Sequence, residues 1–134
     1  MACFSINNQM IGDSFSPYII AEMSGNHNHS MEQAIAILDA AVRVGANAVK
    51  LQCYTADTVT LDSRQSDFYI EDPDSLWYGR YLYELYEEAH TPWDMVEEIY
   101  KEADKRNLGC FSSVFDESSV DFMESLGAPA YKIA

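Results

Sequence analysis

An α/β fold of the (β/α)8 barrel type, supplied here to about its first four strand–helix units, is what this sequence predicts. Three observations carry the prediction. Short apolar segments at 18–23, 48–53, 109–114 and 130–134 alternate with helical patterns, the order of a parallel sheet with helical crossovers. Alternate residues of the strands sort into a bulky apolar face and a face of small and polar residues. The polar face carries lysines, which an open sheet covered by helices on both sides would bury at a large cost. A barrel instead turns that face into its lumen, where polar groups at the strand ends line a functional rim.

Each element has its own signals. Segment 18–23 runs YIIAEM, with Glu22 on the side of Ile20, and the polar turn SGNHNHS follows. Ser30 with Gln33 predicts a capping-box helix start, and Ala34, Ile37, Leu38, Ala41 and Val42 form its apolar stripe before Gly45. In the second strand Val49 and Leu51 point one way and Ala48, Lys50 and Gln52 the other. Residues 55–90 make a longer connection than usual, with a helix of its own, which marks a functional loop or lid. Thr91-Pro92 predicts a cap and first-turn proline for a helix through Met95, Val96, Ile99 and Ala103, with Gly109 past its end. Asp116 caps a third helix through Val120, Met123 and Leu126, closed by Gly127. In the last strand Tyr131 and Ile133 share one side, Ala130, Lys132 and Ala134 the other. At 134 residues, with no repeat or linker, the chain is expected to be one unit, 1–134, half of the ~250 residues that eight strand–helix units need.

Composition narrows the function. A formal charge of −14 repels phosphate backbones, so nucleic acid is not an expected partner. No apolar run approaches the twenty or so residues that cross a bilayer, and the first thirteen lack the pattern of a signal peptide. Three cysteines without a C-x-x-C pair suit free thiols, and the expected setting is the cytoplasm.

Against this acidic background the local cations matter. Glu22, Lys50, Gln52, Ser112, Ser113 and Lys132 all fall near the ends of successive parallel strands. Two ammonium groups converging in a cleft attract a phosphate or carboxylate, and a neighbouring carboxylate can move a proton. His27 and His29, an H-x-H after the first strand, admit two readings. One is a metal site of the kind barrel hydrolases use; the other is a polar loop held by its own hydrogen bonds. Lys132 could also act as a Schiff-base lysine, for which an anion clamp is the simpler alternative. Arg80, in LWYGRYLYELYEEA, either stacks on an aromatic or pairs with Glu84, or reaches a ligand from the long connection.

The stretches IAEMSGNHNHS, GANAVKLQCYTADTVTL, LWYGRYLYELYEEAHTPWDM and FSSVFDESSVDFMESLGAPAYKIA together resemble the N-terminal half of bacterial sialic-acid-type synthases, the N-acetylneuraminate synthase family. The third stretch looks most like the pseudaminic acid branch of that family. The resemblance covers nearly the whole chain from Tyr18 onward. It implies an enzyme that condenses phosphoenolpyruvate with an acetamido sugar, giving a nine-carbon 2-keto acid and free phosphate. It also implies a divalent metal, manganese or magnesium, held in the complete enzyme by histidines of later strands and by none of the residues of this chain.

By position, the resemblance gives Glu22 the acid or base role beside the sugar aldehyde. Lys50 and Lys132 would hold the phosphoenolpyruvate anion, and Ser113 its phosphate. Gln52 falls on the sugar side, and Asn26, His27 and Asn28 contribute the loop of the pocket. One departure is Ser113-Val114, where the family has Thr-Pro or Ser-Pro; the missing proline relaxes the backbone beside the phosphate. A half barrel with open strand edges is expected to associate with itself and not to complete the reaction alone. A metal-dependent hydrolase using the H-x-H loop, or a non-catalytic half-barrel assembly module, are the alternatives.

Overall fold

The computed structural model describes residues 3–134. It opens with a hairpin that the strand signals did not predict, β1 (Phe4–Ile6) and β2 (Gln9–Ile11), paired antiparallel. Its two-residue turn is Asn7-Asn8, both in the left-handed region at φ 49° and 63°. Asparagine tolerates that region, and such a turn matches the twist of the flanking strands.

Four parallel strands follow in sequential order: β3 (Ile20–Glu22), β4 (Ala48–Cys53), β5 (Gly109–Val114) and β6 (Tyr131–Ile133). Helix α1 (Met31–Arg43) joins β3 to β4, and α5 (Glu117–Ser125) joins β5 to β6. The long connection between β4 and β5 holds α2 (Ala56–Val59), a 3-10 turn at Ser66–Phe68, α3 (Leu82–Ala89) and α4 (Trp93–Asp104). The α/β alternation and the parallel order are those of a partial (β/α)8 barrel. The outer strands are shorter than their apolar segments, 18–23 and 130–134, because each pairs along one side only.

The core lies between one face of the sheet and the helices α1, α4 and α5. Val49, Leu51 and Cys53 of β4 and Cys110 and Val114 of β5 meet Ala34, Leu38 and Ala41 of α1, Val96, Ile99 and Ala103 of α4, and Met123 of α5. Trp93 stacks on Phe122, ring centroids 4.6 Å apart, joining α4 to α5. Val42, expected in the stripe of α1, is 43% exposed and lies outside this core. Ile133, expected to pack with Tyr131, is 76% exposed on the outer strand.

Helix ends depart from the sequence reading in instructive ways. Ser30 caps α1 through the Gln33 N–H, but the Gln33 side chain reaches the Asn26 carbonyl at 2.7 Å, so it ties down the preceding loop instead. Gly45, at φ 78°, closes α1 in a Schellman arrangement with Ala46 N–H on the Ala41 carbonyl. Pro92, not Thr91, is the cap residue of α4, and Asn107 at φ 53° ends that helix in the place given to Gly109. Gly109 begins β5 and is required for a different reason. A Cβ there would stand 2.9 Å from the Tyr18 hydroxyl and 3.1 Å from the Ala48 Cβ. Asp116 caps α5 as expected, accepting from the Ser118 and Ser119 N–H groups.

Candidate active site

Strand register decides which side chains can meet. Glu22 is opposite Lys50, and Lys50 opposite Phe111. Two residues further along, Gln52 is opposite Ser113, and Ser113 opposite Lys132. Partners in register point to the same face, so Glu22, Lys50, Gln52, Ser113 and Lys132 share the face that the helices leave open. Ser112 lies in register with Leu51 and Tyr131, on the helix face, where its hydroxyl donates to the Ser113 carbonyl at 2.9 Å. Ser113 itself is buried.

Glu22 and Lys50 form an ion pair, with the lysine side chain 18% exposed and the carboxylate 45%. The Ser24 hydroxyl donates to the other carboxylate oxygen of Glu22 at 3.2 Å. Lys132 stands apart. It is exposed on β6, three strand spacings or about 14 Å from β3. It has no carboxylate partner within ion-pair distance among the described residues. The structure therefore brings Glu22 to Lys50, aligns Gln52 with Ser113 and Lys132, and leaves the two groups on adjacent rows of one face.

The loop after Glu22 is pinned by His27, which is fully buried. Its Nδ1 accepts the His29 backbone N–H at 3.1 Å, so the ring proton is assigned to Nε2, which donates to the Thr91 hydroxyl 2.8 Å away. Both nitrogens are thereby engaged in a neutral ring, and burial, then the neighbouring His29, pushes its pKa below the usual histidine value. His29 Nε2 donates to the His90 carbonyl at 2.7 Å, and a Cβ at Gly25 would come within 3.2 Å of the Ala89 carbonyl. The loop is thus seated on the junction of α3 and α4. Its backbone is unusual: Ser24, Asn28 and His29 all sit at positive φ, 51°, 46° and 55°. Such strain persists only where the surroundings hold it, and it gathers at functional sites. Of the two readings of H-x-H, the hydrogen-bonded loop is the one observed. Asn26 and Asn28 are exposed on its outer side.

The long connection forms a wall over the same end of the sheet. Tyr69 bridges Tyr81, Tyr83 donates to Asp57 at 3.0 Å, and Arg64 lies over the Tyr81 ring while pairing with Glu84. Arg80 pairs with Glu88 at 2.5 Å, not with Glu84, which pairs with Arg64. The Arg80 bond holds the Glu88 carboxyl below the usual range. Tyr54 meets Tyr86 and Phe115 edge-on, at 5.9 and 5.5 Å, beside a cleft that Gln52 also lines.

Sequence reasoning missed several of these groups. Thr91 had the signal of a helix cap, and only the fold shows it to be the partner of His27. Ser24 carried the signal of a turn. Phe111, a large ring on the small-residue face, follows from counting alternate residues back from Ser113.

A divalent metal needs several donors converging on one point. No three His, Cys, Asp or Glu side chains converge in that way among the described residues, and His27 has no free lone pair, so these residues do not assemble a metal site.

Comparison with known proteins bears on the family and the fold. The chain is 44% identical over 117 residues to the pseudaminic acid synthase of Campylobacter jejuni subsp. jejuni serotype O:2, covering 87% of this chain and 34% of that protein. The crystal structure of the spore coat polysaccharide biosynthesis protein spsE from Bacillus subtilis superposes with a TM-score of 0.69 at 31% identity, over 98% of this chain and 33% of that one. The N-acetylneuraminic acid synthetase of Leptospira borgpetersenii serovar Hardjo-bovis shares the fold, with a TM-score of 0.78 at 21% identity, over 98% of this chain and 41% of its own. The chain thus spans about a third of the length of the proteins it matches. Residues 37–134 match the NeuB family, and to that family this chain belongs.

Proposed function

We propose that this chain supplies the first four strand-end contributions to the condensation of phosphoenolpyruvate with an acetamido sugar, as in pseudaminic or sialic acid biosynthesis. The observation that carries the reading is the open-face array itself: an oriented carboxylate with its lysine on one row, and on the next an amide, a hydroxyl and an ammonium without an ion-pair partner among the described residues. The similarity to a pseudaminic acid synthase supports it.

In this reading Lys132 and Lys50 hold the carboxylate and phosphate of phosphoenolpyruvate, with the Ser113 hydroxyl on the phosphate. Carbon 3 of phosphoenolpyruvate forms the new bond to the aldehyde carbon of the open-chain sugar. Water adds its oxygen to carbon 2, and the resulting tetrahedral centre breaks its carbon–oxygen bond to release phosphate. The aldehyde oxygen takes up a proton and the water gives one up. Glu22, oriented by Ser24 and Lys50, is the acid or base beside the aldehyde. Gln52 faces the sugar, Asn26, His27 and Asn28 shape the loop around it, and Arg80 reaches toward its anionic or hydroxyl groups from the wall. A divalent metal, manganese or magnesium, is proposed as a cofactor of the complete enzyme; the described residues of this chain would not hold it, and its chemistry there would be that of a Lewis acid. The setting proposed is the cytoplasm.

Phosphoenolpyruvate binding to this chain, followed by calorimetry at low salt, tests the reading. Lys50→Ala and Lys132→Ala are each expected to weaken it at least tenfold, and binding that survives both substitutions sinks the proposal. Self-association belongs to the same reading. The outer edges of β3 and β6 carry backbone groups with no strand beside them among the described residues, and Ile19, Ile20 and Ile133 are exposed along them. Light scattering is expected to give a mass above that of the monomer, and a monomer at high concentration would count against pairing.

A further inference from the structure

All three histidines of the sequence gather in one place. The His27 and His29 rings stack with centroids 6.0 Å apart, and the His90 ring meets His29 edge-on at 6.1 Å. Among the described residues, the hydrogen bonds between the 24–30 loop and the α3–α4 junction run through two of these rings, His27 to the Thr91 hydroxyl and His29 to the His90 carbonyl. The loop's backbone bonds stay within it: Asn26, Asn28 and Ser30 donate to the carbonyls of Met23, Gly25 and His27. On the other side of the link, no residue of α3 is buried, and an element with so little burial opens at low cost.

The rings answer a proton differently. His29 donates through Nε2, and His90 through Nδ1 to the Glu87 carbonyl at 2.7 Å; their other nitrogens make no hydrogen bond among the described residues. Both can be charged without losing a bond. His27 cannot. Its Nδ1 accepts the His29 N–H at 3.1 Å, so a proton there sets two donors against each other in a fully buried site. A charge on His29 adds repulsion. The neighbouring carboxylates are engaged elsewhere or exposed. Glu88 of α3 senses His29 but is paired with Arg80, and Glu22 at the root of the loop is paired with Lys50. Asp94 of α4 accepts the Met95 N–H, and Glu87 of α3 and Glu32 of α1 are exposed.

We infer that the three histidines are a proton-released latch: charging of His27 detaches the 24–30 loop from the α3–α4 junction, and loop and α3 open together while the four-stranded sheet stays folded. The direction follows from linkage. An opened, solvated His27 titrates near 6.5, while in the closed latch burial, then His29, hold it lower. The open form therefore takes up the proton first, and opening grows as pH falls through about 6.5. The latch needs none of the reaction chemistry proposed above, and its test needs no ligand.

Native-state hydrogen exchange of this chain tests the latch. It is followed by NMR between pH 7.5 and 5.5, at two urea concentrations below the unfolding transition, and corrected for the intrinsic pH dependence of exchange. The amides of His29, Leu85 and His90 are expected to lose protection by up to about tenfold over that interval, to an extent that urea does not change. Those of Val49 and Leu51 in β4 should stay roughly a hundredfold better protected. His27→Gln cannot titrate and should remove the pH dependence. Where that variant does not fold, the pair His29→Gln and His90→Gln serves in its place: without the outer charges the closed His27 tolerates a proton better, and the drop should shrink. Protection at His29 that ignores pH overturns the latch, as does a drop that survives His27→Gln or is undiminished in the pair. A drop at His29 with none at Leu85 overturns the joint opening. Loss at β4 in step with the loop makes the event global unfolding and overturns the latch as well.

Discussion

The two ends of the open face are built to opposite specifications. At the β3 end, Glu22 is held by Lys50 and Ser24, and the loop beyond it is fixed by His27, His29 and a strained backbone. At the β6 end, Lys132 is exposed, without a carboxylate partner among the described residues, beside an exposed Ile133. A group that moves a proton must be aimed before the reactant arrives, and orientation costs less when the loop already supplies it. A group that only attracts an anion gains nothing from a fixed internal partner, which would compete for its charge. In the function proposed above, an ammonium left free in a chain of charge −14 would give a phosphorylated reactant a local place to land.

The comparison predicts that damage at the β3 end appears as lost stability. His27→Ala removes a fully buried ring, leaves a cavity and strips the Thr91 hydroxyl of its partner. Urea unfolding of the chain should show a loss of about 3 kcal/mol. Thr91→Val keeps the shape and removes only the acceptor of the His27 N–H, so the expected cost is smaller, about 1–2 kcal/mol.

Both substitutions act on one latch, so the double variant should lose less than the sum. A fully additive pair would show that the loop and the α3–α4 junction are not coupled.

The same ring sets a pH dependence. His27 is neutral when folded, with a pKa pushed below its unfolded value near 6.5 by burial and by His29. Below that value the unfolded chain takes up a proton that the folded chain refuses, so stability falls as pH drops through about 6.5 and levels off below the folded pKa. Protonation would also set an Nδ1–H against the His29 N–H that it now accepts. The acids with lowered values, Glu88, Glu102 and Asp116, add their own losses at lower pH, so the interval from 7.5 to 5.5 reports the histidine. Replacing His27 should flatten that interval.

How much of this was legible in the sequence follows the same division. The parallel order and the faces of β4 came from a period of two, because a half-buried strand must alternate, and the structure reproduces them residue for residue at Val49, Lys50, Leu51 and Gln52. The placement of Glu22 opposite Lys50 needed only the strand order and a register. What stayed hidden depends on long-range geometry. His27 and Thr91 are 64 residues apart, and nothing in the local pattern of HTPW distinguishes a helix cap from a buried acceptor. The Asn7-Asn8 hairpin was readable in principle, since two asparagines between FSI and QMI are a turn signal, but three-residue strands are too short for alternation to stand out. Gly109 looked like a helix terminator because the Tyr18 hydroxyl that forbids a side chain there comes from a distant segment.

The smallest expected effect on stability is the sharpest test of the comparison. Lys132→Ala removes a charge that makes no ion pair among the described residues, from an exposed position on an outer strand. Exposed substitutions of that kind change stability by less than about 0.5 kcal/mol. Removing a cation from a strongly acidic chain adds slightly to its self-repulsion, so any change should be a small loss that fades with added salt. A loss as large as that of His27→Ala would mean that Lys132 is structurally engaged, and the division between an aimed carboxylate and a free ammonium would fail. A negligible loss in urea, alongside a large loss of phosphoenolpyruvate binding, would place the contribution of Lys132 in ligand binding, as the proposed function requires.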